Sequence, residues 1–460
     1  MENNKKFTAA LGLVLLLAAG LRLVPLLALG PQVEPDTRPY LQVAGILAET
    51  GDFSWVDDVT GRLEPYAYRM PLFHLFTAGL MKVFGPEVSA QLAAANVLLS
   101  LLVVLMTGLF FRSVAGAPAG LLAAGLAALN PNAIFNSALL LTDSYFAVFV
   151  LLSAVAGLAA LRRRSGAAFF LWGLSIGLCS MVRPIMKFYW PVPLLLVLLP
   201  WFRASLREKA RLGLLCAAGA GLLLLPWAAR NYSRLGFFGL ELNQGVNTLW
   251  STIDMVRPST PEQAAADPLQ ARVRDIVANS AGPLPAETEI RVRLGLSLPE
   301  TSAAMSRLGV ETVLNNPGGF LLRFLRNAAN IATSPSAVLE LAGRLAGGGA
   351  ESLPGLAEAA KERHWFSLAL NLGTRAVLAV IFFVLAPLGA LLLWRRAGDT
   401  GRLELLMLVS VVGYTITLTA MVAGYDRYRL PLDPLLFGFA AAWLVEKLRG
   451  PARGLPGKIV

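Results

Sequence analysis

Histidine, cysteine and charge are all scarce in this sequence, and each shortage closes off a class of protein. The two histidines among its 460 residues, His74 and His364, stand far apart and lack a second ligand-type residue at helical spacing, so no histidine metal centre is expected. The two cysteines, Cys179 and Cys216, both lie inside apolar windows. They read as packed, inert thiols rather than a disulfide framework or a thiolate metal site. No cofactor or metal is expected from these residue types, although nothing in them forbids a divalent ion. Charged residues make up only 15% of the chain against 56% hydrophobic ones, too apolar a balance for a water-soluble fold with one polar shell. No internal repeat stands out.

What the sequence has instead is long apolar runs. Leu11 to Leu29, Val88 to Phe111, Leu139 to Leu161 and Ala376 to Trp394 each reach the length of about 20 residues that a helix needs to cross the hydrocarbon. Unbroken runs of this kind suit helices rather than strands, so the chain reads as an all-α polytopic membrane protein. Lys5 and Lys6 before the first run give it the start of a secretory signal. Its length and the lack of a small-residue cleavage pattern make it a retained anchor.

The net charge of +11 is a topology signal rather than a nucleic-acid footprint, because the basic residues gather at the ends of apolar runs. They cluster at Lys5 and Lys6, Arg112, Arg162 to Arg164, Arg203 to Arg211, Arg395 to Arg402, and Lys447 to Lys458. If every cluster is cytoplasmic, each gap between them holds an even number of crossings. Val114 to Leu161, Ala167 to Phe202 and Leu403 to Val445 each accommodate two, with breaks at Asn130-Pro131-Asn132, Arg183-Pro184 and Gly424 to Pro431. About ten transmembrane helices with both termini cytoplasmic follow; the short third, near Ala117 to Leu129, is required by parity.

The chain then divides into residues 1–228, with transmembrane helices 1–7 and a first extracytoplasmic loop at about 30–86; residues 229–366, a large extracytoplasmic region; and residues 367–460, with helices 8–10. In the outer segments, Tyr40 to Glu49 reads as a short amphipathic helix and Pro71 to Phe84 as an interfacial or re-entrant one. Pro285 to Leu314 and Phe320 to Ile331 show helical periodicity, with a turn from Asn315 to Gly319 between them.

The charges that break the positive-inside pattern collect on the outer face: Asp36, Arg38, Arg69, Asp143, Arg183, Lys187, Arg230, Arg234, Asp426, Arg427 and Arg429. Taken singly, an arginine at a helix end is an interfacial anchor. Several of them, at the ends of different spans and beside an outer carboxylate, point to an anionic ligand. Arg22 lies inside the first span, where a charge costs roughly 2.5 to 3.5 kcal/mol, so it calls for a partner.

Separated motifs give these residues a context. Asp36, Tyr40, Gly51 and Asp52 follow the first span; Arg69-Met70-Pro71-Leu72-Phe73 precedes the second; Ser180 to Pro184 ends in arginine-proline. Pro226-Trp227-Ala228-Ala229-Arg230-Asn231-Tyr232 is followed by Asn243-Gln244-Gly245 and Asn247, and Arg427-Tyr428-Arg429-Leu430-Pro431 precedes the last run. Together they resemble the bacterial relatives of protein O-mannosyltransferases, the glycosyltransferase family 39 branch of the GT-C membrane glycosyltransferases, which also resembles the aminoarabinose transferase acting on lipid A. The likeness runs from about Leu21 to Trp443 and thins across Ser259 to Leu308. Many members carry a glutamate directly after the aspartate; this chain has Thr37 there and so lacks an adjacent acid pair.

The resemblance implies a GT-C fold with extracytoplasmic interfacial helices in a bacterial cytoplasmic membrane. It also implies inverting transfer of a sugar from a polyprenyl-phosphate carrier, such as undecaprenyl phosphate, to a lipid, glycan or protein acceptor at the extracytoplasmic face. In that chemistry Asp36 is the candidate general base, since a positioned carboxylate accelerates attack by a weakly nucleophilic hydroxyl. Arg183, Arg427 and Arg429, with Lys187 and Arg230, are candidates to stabilise the phosphate leaving group. Arg69, Tyr40, Asn231 and Tyr428 join them as substrate-binding residues. Asp143 is expected to position the acceptor, to pair with an arginine, or to sit as a helix N-terminal charge. Two rivals use the same outer arginines: a transporter or flippase of lipid-linked sugars, and a glycan polymerase or ligase acting on a lipid diphosphate.

Overall fold

The computed structural model describes residues 2–346 and 353–449. The final basic cluster, running to Lys458, therefore lies partly outside the described residues. From the N-terminus, α1 (Glu2–Leu29) leads to α2 (Thr37–Thr50), a hairpin of β1 (Ser54–Val56) and β2 (Leu63–Pro65), and α3 (Pro71–Phe84). Next come α4 (Ser89–Ala115), α5 (Ala117–Ala128), α6 (Pro131–Asn136), α7 (Asp143–Arg163), α8 (Gly166–Val182), α9 (Pro191–Leu198) and α10 (Leu206–Leu235). A run of shorter helices follows: α11 (Gln244–Trp250), α12 (Pro261–Ala266), α13 (Pro268–Asn279), α14 (Pro283–Leu294), α15 (Leu298–Asn315), α16 (Pro317–Thr333), α17 (Ser336–Leu345) and α18 (Leu356–Lys361). The chain closes with α19 (Trp365–Ala379) running on into α20 (Ala386–Arg396), then α21 (Asp399–Ala420) and α22 (Asp433–Arg449).

Six of these helices are long and apolar enough to cross a membrane: α1, α4, α7, α10, the continuous Trp365–Arg396 and α21. Leu16 and Leu27 on α1 are 71% and 80% exposed, and Leu214 on α10 is 70% exposed. Leucine stripes this bare belong against lipid. Three shorter apolar helices, α5, α8 and Pro184–Leu198, together with α22, occupy the remaining places where crossings were expected. At 12 residues α5 is only about 18 Å long, well short of the hydrocarbon.

Arg22 explains how so short a helix ends inside the protein. Its guanidinium donates to the carbonyls of Ala127 (3.2 Å) and Ala128 (3.0 Å), the orphaned C-terminal acceptors of α5, and to Ser100 Oγ at 2.7 Å. The partner that its intramembrane position demanded is thus a helix end rather than an acid. α8 and α10 approach backbone to backbone. A Cβ on Gly173 would lie 1.8 Å from the Cys216 carbonyl oxygen, and one on Gly219 2.1 Å from that of Phe170, so only glycine fits either position. At the other end of α7, Arg162 forks onto Glu404 of α21 at 2.7 and 3.1 Å.

The structure departs from the sequence reading in four places. Leu139 to Leu141 are not helical; they run beside Gln32, and α7 starts only at Asp143. The helical stretch Pro285 to Leu314 is split at Gly295, which adopts a left-handed φ of 66°, and restarts through a capping box between Ser297 and Glu300. The loop expected from Asn315 to Gly319 shrinks to Asn316, with Pro317 opening α16. The β1–β2 hairpin was not expected; Asp57 shapes its turn by accepting from Val59 and Thr60, and is gripped by Arg291 at 2.7 Å.

Helices α11 to α15 form a cap with its own apolar core, including Val246, Leu249, Val273, Ile290, Met305 and Leu308. The Arg291–Asp57 pair and a hydrogen bond from Tyr68 to Glu287 (3.1 Å) fasten it to the segment between α2 and α3. Between cap and bundle a cavity remains.

Candidate functional site

The cavity, about 870 Å³, is bordered by the residues before α2, the segment before α3, the α8–α9 break, the α10–α11 connection and the turn after α21. Each border is set by a local feature of the sequence. Thr37 is buried, accepts the Glu34 N–H and donates to the Leu140 carbonyl at 3.1 Å, which fixes the chain around Asp36. Although Asp36 opens α2, its carboxylate caps none of the helix N–H groups. It faces two guanidiniums instead: Oδ1 accepts from Arg69 at 2.9 Å and Oδ2 from Arg427 at 3.1 Å.

These three groups set one another's ionisation. Burial alone would raise the Asp36 carboxyl, but the charges and hydrogen bonds of Arg69 and Arg427 outweigh it and hold the group at about 2. Burial likewise opposes both guanidinium charges. Tyr40, Tyr66 and Asp36 hold Arg69 above the ordinary arginine value, as Asp143, Tyr428 and Asp36 do for Arg427. Arg69 stacks over Tyr40 at 4.8 Å and Arg427 over Tyr428 at 5.7 Å, so both planes are also held by rings.

Arg183 stands where Pro184 breaks α8; its backbone is extended and its side chain forms an ion pair with Asp143 at 2.7 Å and donates to the Thr142 hydroxyl at 3.0 Å. Lys187, in the turn that follows, approaches Glu241 at 3.4 Å. The walls thus carry four cations, Arg69, Arg183, Lys187 and Arg427, and three carboxylates, Glu34, Asp36 and Glu241. Arg183 is matched by Asp143 and Lys187 by Glu241, whereas two guanidiniums share the single Asp36 carboxylate. Among the described residues, one positive charge is left uncompensated there. The same cavity is also lined by apolar side chains, among them Phe188, Val313, Phe320, Leu418 and Val422.

Of the candidate catalytic and substrate-binding residues, Asp36, Tyr40, Arg69, Arg183, Lys187, Arg427 and Tyr428 meet at this cavity. Four do not line it. Asp143 is buried behind Arg183 and acts on the cavity through that side chain. Arg230 donates to the carbonyls of Tyr66 (2.7 Å) and Phe53 (2.6 Å), and Asn231 to that of Gly239 at 2.8 Å, so both brace backbone. Arg429 is buried on Asp433 at 2.8 Å and on the carbonyls of Ile331 and Ala332, closing the end of α16. Glu241 escaped the sequence reading, since it follows no motif and no periodicity. Among the described residues, no three His, Cys, Asp or Glu side chains group as a metal site.

No protein-family model matches the chain, and no curated protein matches it in sequence. Solved structures do match its fold. One is the archaeal oligosaccharyltransferase AglB from Archaeoglobus fulgidus in complex with an inhibitory peptide and a dolichol-phosphate, at TM-score 0.54 and 14% identity, over 100% of this chain and 53% of that one. Another is the Archaeoglobus fulgidus oligosaccharyltransferase tethered to an acceptor peptide, at TM-score 0.52 and 16% identity, over 96% and 50%. ArnT from Cupriavidus metallidurans bound to undecaprenyl phosphate aligns with TM-score 0.39 and 16% identity, over 95% and 77%. The chain spans about half the length of the oligosaccharyltransferase, 53% in the first alignment. With its apolar helices and this match over its full length, the chain is a multi-pass membrane protein with the GT-C fold.

Proposed function

We propose that this protein is an inverting glycosyltransferase that takes a sugar from a polyprenyl-phosphate donor and passes it to a hydroxyl-bearing acceptor. The observation that carries the reading is the meeting of Asp36, Arg69 and Arg427 at a cavity that apolar side chains also line. A lipid phosphate needs both: guanidiniums for the headgroup and an apolar wall for the first isoprene units. The chain's own motifs, from Asp36 to the Arg427–Pro431 turn, favour the family 39 branch among GT-C enzymes.

The single uncompensated positive charge favours a monophosphate carrier. A glycosyl phosphodiester brings one negative charge, which the Arg69–Arg427 pair neutralises beside Asp36; a lipid diphosphate brings two. As the anomeric C–O bond breaks, its electron pair goes to the phosphate oxygen, and the second charge that develops there is stabilised by the same two guanidiniums. The acceptor hydroxyl forms the new bond from the opposite face and loses its proton to Asp36. Held at about 2 in the free protein, that carboxylate is a weak base. The donor phosphate draws Arg427 and Arg69 towards itself, and with the guanidinium contacts loosened Asp36 regains basicity when the proton must move.

The acceptor is a lipid, a glycan or a protein hydroxyl. In this reading the cavity opens to the extracytoplasmic side of a bacterial inner membrane, with both termini cytoplasmic. Purified protein given glycosyl undecaprenyl phosphates and glycosyl undecaprenyl diphosphates is the test. Turnover of the monophosphate alone supports the reading; turnover of the diphosphate alone replaces it with a polymerase or ligase, and lipid movement without bond cleavage replaces it with a flippase.

A further inference from the structure

The Pro226–Tyr232 stretch does more than brace a helix end. Trp227 Nε1 donates to the Leu240 carbonyl at 2.9 Å and Asn231 to the Gly239 carbonyl at 2.8 Å. Leu242 is held from both sides, its N–H on the Ala67 carbonyl at 2.9 Å and its own carbonyl taking the Ser302 hydroxyl at 2.6 Å. Three residues of one short connection are thus tied down by α10, by the segment leading to Arg69 and by α15. The residue left between these ties is Glu241, and its side chain lines the cavity.

Glu241 is buried, with its side chain only 8% exposed, yet among the described residues its partner is a single ammonium, Lys187, at the long distance of 3.4 Å. Burial raises its carboxyl above the usual value, against the pull of Lys187 and Arg69. An ionised carboxylate accepts about four hydrogen bonds, so most of this group's capacity is unspent. The other two carboxylates of the cavity are differently placed: Asp36 is shared by two arginines, and Glu34 is gripped by Arg344 at 3.0 Å. Two residues on, the buried Oδ1 of Asn243 has no hydrogen-bond partner among the described residues. A buried carboxylate held by this many backbone ties, with acceptor capacity turned towards a cavity, is arranged to receive hydroxyl donors.

Resting on the glycosyl-transfer reading, the geometry points to Glu241, with Lys187 beside it, as the specificity-determining contact for the hydroxyl face of the transferred sugar. Glu241 accepts from sugar hydroxyls, and Lys187 donates to a sugar oxygen. Because the Glu241–Lys187 pair is itself neutral, the sugar that fits is neutral. A hexuronic acid would set its carboxylate against Glu241. Lys187, expected from the sequence to hold phosphate, is thereby assigned to the sugar.

The test is binding, not turnover, and uses the full chain in nanodiscs with four probes: undecaprenyl phosphate, its glucosyl and mannosyl esters, and its glucuronosyl ester. At least one neutral ester is expected to bind about tenfold more tightly than the bare lipid phosphate. Glu241→Gln is expected to erase that gain, while the bare lipid, with Lys187 now uncompensated, binds at least as tightly as to the wild type, which also shows that the variant is folded. The assignment is overturned if no neutral ester gains over the bare lipid, if the gain survives in the variant, or if the glucuronosyl ester gains most. Failure of the wild-type protein to bind undecaprenyl phosphate at all is a different result: it removes the glycosyl-transfer reading itself.

Discussion

Replacing Asp36 by asparagine separates two roles that the structure joins in one carboxylate. In the resting protein Asp36 neutralises half of the charge on Arg69 and Arg427, at 2.9 and 3.1 Å. The asparagine keeps the shape and removes the charge, so the site goes from one uncompensated positive charge to two. A lipid phosphate on the same guanidiniums would lie about 5 Å from the Asp36 carboxylate, where two like charges repel by roughly 3 kcal/mol at an effective dielectric of about 20. The Asp36 side chain is 38% exposed, and screening brings this down to about 1 kcal/mol. Asp36→Asn is therefore expected to bind undecaprenyl phosphate about fivefold more tightly than the wild type, most clearly at low salt, while transfer falls at least about 100-fold. Native mass spectrometry or a fluorescent-lipid displacement assay reads the first quantity, and product formation from a glycosyl donor the second. Weaker lipid binding in the variant would refute the charge argument, and wild-type transfer would remove Asp36 from the base role.

Arg427→Ala is expected to weaken undecaprenyl phosphate binding at least about tenfold, because its fork and its ring-stacked plane are lost together; unchanged affinity would contradict its role. Arg230→Ala, at a residue that faces backbone rather than the cavity, is expected to leave lipid affinity unchanged and cost about 2 kcal/mol of stability, seen as a lower Tm. Arg22→Leu strips the end of α5 of its donors, and a loss of about 2 to 4 kcal/mol is expected; a variant as stable as the wild type would show that α5 needs no such closure. Glu287 is buried against Tyr68, with Arg291 and Asp57 nearby, and burial raises its carboxyl to about 7 from 4.5. The folded state therefore binds the extra proton between those two values, so this residue's contribution to stability is full below pH 4.5, declines as pH rises to 7, and is gone above it. Glu287→Gln should flatten that part of the Tm-versus-pH curve, and an unaltered slope would exclude Glu287 as its source.

The helical scaffold was legible because lipid imposes a simple rule on sequence: long apolar runs become helices, and breaks such as Asn130-Pro131 and Arg183-Pro184 end them. The assembly of Asp36 with Arg427 was legible only as a shared face, since the pair is separated by 391 residues and its contact is tertiary. Residue type did not reveal targets. Arg230 and Arg427 look alike at helix ends, yet one goes to the carbonyls of Phe53 and Tyr66 and the other to a carboxylate. Arg22 called for a partner, and the orphaned carbonyls that serve exist only because α5 stops short. The hairpin at residues 54–65 has three-residue strands with no periodicity to detect, and Arg291, which steadies it, is 234 residues from Asp57. Glu241 gave no signal, because its placement depends on ties made by its neighbours' backbone.

The central claim is that the Arg69–Arg427 pair beside Asp36 receives a lipid phosphate, and a structure of the protein in nanodiscs with undecaprenyl phosphate tests it most directly. The account predicts phosphate density within hydrogen-bond distance of both guanidiniums and the first isoprene units along Phe320, Leu418 and Val422. Lipid phosphate seated elsewhere, with Arg69 and Arg427 still closed on Asp36, would contradict it.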